Sequence, residues 1–439
     1  MKKVLLIVLV FAIAMTSTVI LTSCPPIDDG PGTTESNELD IWWNLSRARN
    51  AEDQALINGA WQDFRDEVLL ADAARSEERY GFAPNEITMR LSEGEHNNPT
   101  ELAIRILGNV APDIVRMDHV YVSSLGQAGN LLDLVPFGVN EIQDLFLPTA
   151  WSASSYRDAV YGVPFDANTA IFAARRSYLT EAGLNIPTTY DEMLEVGRAL
   201  AARGIDQYAY TTPIGLSHNI NWQVFVFMFY VWRLGGDVLN EDNTEAIFNR
   251  PDTGVRALEM IKEMMESNIL SSTEYQEGHS VMYESGTWRL NAYTEEMEFD
   301  LLPELREGVP RYSGLGLYNL AVVGTSNSQN LAYDFVVHFA TGQDSLTEEY
   351  YQHTFAMTHS LIPSLLTAQE SAEFNDPTRQ AFWDTSIEQL QLTKYRPPVP
   401  QWPDIQQVIW RALVQVIEDD VNPTEALNTA ANQVNALLR

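Results

Sequence analysis

YGVPFDANTAIFAARRSYLTEAGLNIPTTYDEM, residues 161–193, holds three physical units in one run. Tyr161-Gly162-Val163-Pro164 is a turn entering an extended segment. Gly162 supplies permissive dihedrals; Pro164 removes a ladder donor and biases Val163 towards β. Residues 165–174 mix Phe and Ile with Asp166, Asn168 and Thr169, so polar side chains interrupt a strand-like run. Pro187-Thr188-Thr189 then opens a helix, and Thr189 with Glu192 has the spacing of a capping box. Polar groups on a strand-to-loop path just before a helical unit are a common place for a binding cleft in α/β proteins, although ordinary strand ends give the same pattern.

Upstream, Leu39-Asp40-Ile41-Trp42-Trp43 is a short β-rich run followed by Asn44 and Ser46. If that strand alternates, Trp42 or Trp43 faces the core. Ile57, Ala60, Trp61, Phe64 and Val68 recur at helical spacing over 50–70, and the mixed charges of 63–79 suit a solvated helix face. Ile87, Met89 and Leu91 alternate as in a half-buried strand. A helix is expected over 99–107, a short strand over 111–115, and another helix after Leu131-Leu132-Asp133-Leu134. Such alternation implies a parallel-type sheet.

Downstream, WQVFVFMFYVW (222–232) is intensely apolar but too short to span a bilayer, and reads as a buried helix. Residues 235–249 read as strand, polar turn and strand, and their acids lack the spacing of an EF-hand loop. Helices are expected over 252–265, 331–340, 405–417 and 424–438. A Gly-punctuated strand fits 313–323, and the prolines of RPPVPQW (396–402) hold that segment extended.

The chain has 439 residues, suited to roughly two domains, with 45% hydrophobic and 20% charged residues, so it is globular. Its formal charge of −33 argues against nucleic acid as a partner and repels anionic lipid head groups. Cys24 is the only cysteine, so no intrachain disulfide or cysteine metal cluster can form. Seven scattered histidines show no zinc-helix spacing. There is no P-loop, nucleophile elbow or dinucleotide fingerprint, and no cofactor or metal is expected. Met1-Lys2-Lys3 followed by the apolar Val4 to Met15 makes 1–23 a secretory signal. Leu21-Thr22-Ser23-Cys24 fits a bacterial lipobox, with the Cys24 thiol as the nucleophile for a diacylglyceryl group. The Pro/Gly-rich polar stretch after it makes 24–37 a flexible tether.

The run YGVPFDANT with RRSYLTEAGLNIPTTYDEM resembles the extracellular solute-binding proteins of ABC sugar importers, of the maltose-binding-protein type. Gly278 to Trp288 (GHSVMYESGTW), residues 111–115 (APDIV) and Arg396 to Trp402 resemble further motifs of that family. The chain departs from it at Ala174-Arg175-Arg176, at Tyr190 and in a longer 71–85 segment. The resemblance implies an α/β, two-lobed periplasmic-binding-protein fold (type II-like), with an interlobe cleft and hinge crossovers. The implied lobes are 38–167 with 312–357, and 168–311 with 358–439. It implies a monomer held outside the cytoplasm by Cys24, carrying a sugar to membrane permease subunits by hinge closure, with no covalent chemistry.

The ligand positions that this resemblance implies are Trp42, Asn44, Ser46, Arg47, Asp118, Asp166, Asn168, Trp288, Arg396 and Trp402. Trp222 is added as a stacking candidate at the start of the apolar helix. Aromatic faces cover sugar rings, while Asp, Asn, Arg and indole N–H satisfy hydroxyl rims. Two alternatives stay open. One is a lipid-anchored glycoside hydrolase, which needs two facing carboxylates. The other is a binder of a non-sugar solute such as a glycerol phosphate ester, which needs converging cations.

Overall fold

The computed structural model describes residues 36–44, 50–94, 98–202, 220–267, 269, 281–288, 297–371 and 379–439, without the side chains of 220–222 and 285. The signal, the tether, Cys24, Ser46 and Arg47 lie outside the described residues, as does the Trp222 side chain.

Thirteen strands are described: β1 (Glu38–Trp43), β2 (Thr88–Glu93), β3 (Ile114–Asp118), β4 (Ser155–Tyr156), β5 (Ala159–Val160), β6 (Val163–Asn168), β7 (Ala170–Arg175), β8 (Met282–Gly286), β9 (Met297–Asp300), β10 (Ser313–Gly314), β11 (Gly316–Val322), β12 (Ile362–Pro363) and β13 (Thr393–Lys394). Six of them form one sheet in the order β12-β6-β11-β3-β1-β2, and three form a second in the order β8-β7-β9. The strands β1, β2 and β3 are mutually parallel, as the alternation of elements implied. The rest of the large sheet is antiparallel, because β11 runs against both β3 and β6 and makes the sheet mixed.

Two large apolar cores flank these sheets. One gathers Leu39, Ile41, Trp43, Ile57, Trp61, Phe165, Phe335 and Phe355 against the six-stranded sheet. It also takes in Leu361, Leu365 and Ala368, and β12 pairs with β6, so the chain stays with this body past residue 357. The other core is centred on the helix Ile220–Arg233, where every side chain from Gln223 to Arg233 is buried. A helix apolar all round belongs in an interior, and burial of each large side chain contributes about 1.5–3 kcal/mol. Its end is fixed by Arg233, which donates to Glu284 Oε1 (2.6 Å) and to the carbonyls of Pro303 (3.0 Å) and Phe229 (3.3 Å).

Several local expectations change in the tertiary setting. Both tryptophans of β1 are buried, on opposite faces: Trp43 enters the core under β1, while Trp42 packs with Leu102, Val115 and Met117. Helices cover both sides of that strand, so neither ring is left at its surface. The 63–79 stretch is a helix end, a π-turn (Arg65–Leu69) and a second helix (Ala73–Tyr80), whose Arg79 pairs with Asp334 across the molecule. After Leu134 two 3-10 turns, Val135–Phe137 and Val139–Leu145, replace the expected helix. Residues 235–249 make only the single bridge Leu239↔Ala246. The capping box forms with a shift: Thr189 Oγ1 accepts from Glu192 N (3.3 Å), and Glu192 Oε2 returns to Thr188 N (2.8 Å).

His338, in the helix Gln329–Thr341, stacks near Phe64 and Tyr351, and burial pulls its pKa down to about 4 against the opposing charge of Asp63. The unfolded chain takes up this proton near the ordinary value of 6.5, the folded chain only near 4. Between those values the unfolded state binds more protons, so stability falls as pH drops, by up to about 3 kcal/mol for this group. Urea unfolding followed from pH 7 to pH 4 is expected to show that loss, and His338→Leu is expected to flatten the slope.

Candidate functional site

The sheet topology brings distant residues to one edge. Since β1 and β3 are parallel, and β6 runs with β3 through their shared antiparallel neighbour β11, all three strands end on the same side. Their last residues and followers are Asn44, Asp118 and Asn168. The carboxyl ends of strands in an open α/β sheet are where such folds place ligands.

The chain leaves this edge with almost no slack. β6 ends at Asn168 and β7 begins at Ala170; β10 ends at Gly314 and β11 begins at Gly316. A single residue, Thr169 or Leu315, therefore links the large sheet to each next strand. The two crossings are clamped together by buried Ser313, whose hydroxyl donates to Ala170 O (3.0 Å) and accepts from Ala170 N (3.2 Å). Asn168 lies over Gly316, where a Cβ would meet its Oδ1 at 2.1 Å.

Asp118 turns back to accept from Val120 N and sits between His119 Nδ1 (3.1 Å) and Arg396 Nη2 (3.2 Å). Asp118 and Arg396 are 278 positions apart in sequence and both buried, so folding alone unites them. The Arg396 guanidinium and the His119 contact hold the Asp118 carboxyl well below the usual range, against the cost of burial. Arg396 also lies 4.7 Å over the Phe225 ring, on the helix of the second core. Trp402 begins the helix Trp402–Ile417, which packs against His119–Tyr121.

Asp166 points elsewhere. It is fully buried and takes a bidentate contact from Arg116, Nε at 2.9 Å and Nη2 at 2.8 Å. Tyr318 covers that guanidinium at 4.0 Å and Phe355 at 5.0 Å. Burial pushes the Asp166 carboxyl up, with Arg116 opposing. Trp42 donates its indole N–H to Glu93 O and lies under Arg105 at 5.2 Å. The structure thus brings Asn44, Asp118, Asn168, Arg396 and Trp402 to the sheet edge and the seam beside it. It sets Trp42 and Asp166 inside the first body.

Trp288 stands at the crossing itself. Gly286 pairs with Ala170, and Thr287 N donates to Thr169 O (3.2 Å), so the end of β8 lies against this crossing. The Trp288 ring, 36% exposed, folds over Gly286, where a Cβ would come within 1.7 Å of it.

Around this seam several buried polar atoms find no partner among the described residues: Thr169 Oγ1, Thr287 Oγ1, His119 Nε2, Gln223 Nε2, Arg396 Nε and Trp402 Nε1. Each such atom costs roughly 1–3 kcal/mol if left unpaired. His119, Gln223, Thr169 and Thr287 are not among the ligand positions that the resemblance implies. Gln223 had one visible signal, as the lone amide in an otherwise apolar run. No group of histidine, cysteine or carboxylate residues among those described could hold a metal ion. No described helix is long and apolar enough to cross a membrane.

The family described as bacterial extracellular solute-binding protein matches residues 98–381. Over 341 residues the chain is 21% identical to a maltotriose-binding protein of Pyrococcus abyssi, covering 73% of this chain and 70% of the other. The cyclic α-maltosyl-1,6-maltose binding protein from Arthrobacter globiformis superposes with a TM-score of 0.73 at 19% identity, over 91% of this chain and 98% of that one. UgpB from Mycobacterium tuberculosis, in complex with glycerophosphocholine, gives 0.70 at 15% identity, over 92% and 98%. The fold is therefore that of the two-lobed binding proteins.

Removing one member of the Arg116–Asp166 pair leaves a buried charge uncompensated, which typically costs 3–5 kcal/mol. Arg116→Met is expected to lower the unfolding free energy by about that much in urea titration, and Arg116→Met with Asp166→Leu to recover part of it.

Proposed function

We propose, from the premise that this chain belongs to the bacterial extracellular solute-binding protein family, that it captures a mono- or oligosaccharide between two lobes and delivers it to the permease of an ABC importer. The family is one of binders, so the chain is not a hydrolase and releases its solute unchanged. The observation that carries the sugar reading is the seam at the carboxyl edge of the large sheet. There a partly exposed indole, Trp288, accompanies buried hydrogen-bonding groups without a partner among the described residues, the combination that a ring with an apolar face and a hydroxyl rim requires.

The first lobe would be the six-stranded body, including 358–371 because β12 and Leu361 belong to it; the second would be the body around Ile220–Arg233. Closure about Thr169 and Leu315 would let one solute contact both, and its greater affinity for the closed form would hold the lobes together. Trp288, Asn44, Asn168, Asp118, Arg396 and Trp402 are the proposed contacts, with Ser46, Arg47 and Trp222 retained from the sequence. Asp166 and Trp42 would act at one remove, by holding the strands whose ends carry the site. Cys24 would bear the lipid anchor of an otherwise monomeric, extracytoplasmic protein. A phosphate ester is less well served, because Arg396 and Arg116 already hold Asp118 and Asp166.

A thermal-shift panel of saccharides, phosphate esters and peptides is expected to show stabilisation by saccharides. With the best of them, Trp288→Ala is expected to weaken calorimetric affinity by more than about tenfold without unfolding the protein; unchanged affinity would remove Trp288 from the site. Cys24→Ser is expected to move the protein from the detergent phase to the aqueous phase, and unchanged partitioning would refute the anchor.

A further inference from the structure

One oxygen, Asp118 Oδ1, gathers the Val120 N–H, an Arg396 Nη2–H and the His119 ring nitrogen Nδ1 at 3.2, 3.2 and 3.1 Å. Nδ1 lies 3.3 Å from a second oxygen, the Leu317 carbonyl. A carboxylate and a carbonyl can only accept, so the proton of the ring resides on Nδ1. Burial and the adjacent Arg396 charge hold His119 below the ordinary imidazole pKa, so the ring is neutral and Nε2 is a bare lone pair. His119 is only 4% exposed, and Nε2 meets no donor among the described residues.

Two groups from the facing elements have the opposite need. Arg396 Nε and Trp402 Nε1 are buried donors without an acceptor among the described residues. Arg396 shares the Asp118 oxygen with His119, and the helix that Trp402 opens packs against His119–Tyr121. One acceptor and two donors complement a hydroxyl group, which gives one hydrogen and accepts two. An ether, carbonyl or phosphate oxygen has no hydrogen for Nε2, and an ammonium group has no lone pair for the donors.

We propose that His119 Nε2 accepts the hydrogen of a solute hydroxyl while Arg396 Nε and Trp402 Nε1 donate to its oxygen, which makes His119 a specificity-determining residue that demands a free hydroxyl at this position. The proposal rests on the reading of the seam as the solute site and adds what that site asks of the solute. A site built around such a bond discriminates strongly against analogues lacking the hydroxyl, because its own buried groups are then left unpaired.

The test combines nitrogen-15 NMR of His119 with calorimetry, using maltotriose and its monodeoxy analogues as probes. The free protein should show the Nδ1–H tautomer, and maltotriose should shift the Nε2 resonance towards a hydrogen-bonded value. His119→Phe, which keeps the ring and loses the acceptor, should bind maltotriose about tenfold or more weakly; His119→Gln, which keeps an acceptor, should stay within about threefold. One monodeoxy analogue should bind the wild type about tenfold more weakly than maltotriose, yet bind the Phe variant as well as maltotriose does. An Nε2–H tautomer in the free protein overturns the proposal, and so does a folded Phe variant with wild-type affinity. Failure of the sugar reading registers separately, as a wild type that no saccharide stabilises, and the tautomer still decides His119.

Discussion

The two bodies of this protein are joined by strands that do not stop. Asn168 closes one sheet and Ala170 opens the other, with Thr169 alone between them; Gly314, Leu315 and Gly316 repeat the arrangement on the return. Ser313 ties both passages at Ala170. Because no loop intervenes, whatever stands at the carboxyl edge of the large sheet is held against the second body. The meetings of Asp118 with Arg396 and of Thr287 with Thr169 follow from that closeness.

The same constraint separates two roles for carboxylates that look alike in the chain. Asp118 ends its strand and turns into the seam, where Arg396 arrives from the other body. Asp166 lies two residues short of its strand's end, opposite Tyr318, and is drawn onto Arg116 under an aromatic cover. One pair spans the junction and the other stiffens the strands leading to it. Breaking either leaves a buried charge, but only the first lies at the junction between the two bodies.

Much of the framework was legible in local pattern. The capping signal at Thr189 and Glu192, the polar break at Asn168-Thr169 and the apolar run at 222–232 each mark an element that forms. The polar break proved to be the crossing itself. The weaker readings fell where composition is ambiguous. Residues 235–249 alternate enough to suggest strands, yet their backbone is mostly turns, and the mixed charges of 63–79 hide an Arg79–Asp334 pair that no local pattern specifies. His119 was one of seven scattered histidines, and nothing in its neighbours signals a buried ring with a bare nitrogen.

By itself the sequence determined most of the helices and strands, though not the turns after Leu134 and over 235–249, and it determined the strongly acidic charge and which family motifs the chain carries. These depend on side-chain periodicity and turn chemistry within a few residues. Only the tertiary structure decided that Asp118 meets Arg396, that Asp166 faces inward, that both tryptophans of the first strand are covered, and that His119 is buried with Nε2 facing no partner among the described residues. Each of those depends on which strands become neighbours and which helix closes over them, a matter of long-range burial that adjacent residues do not encode.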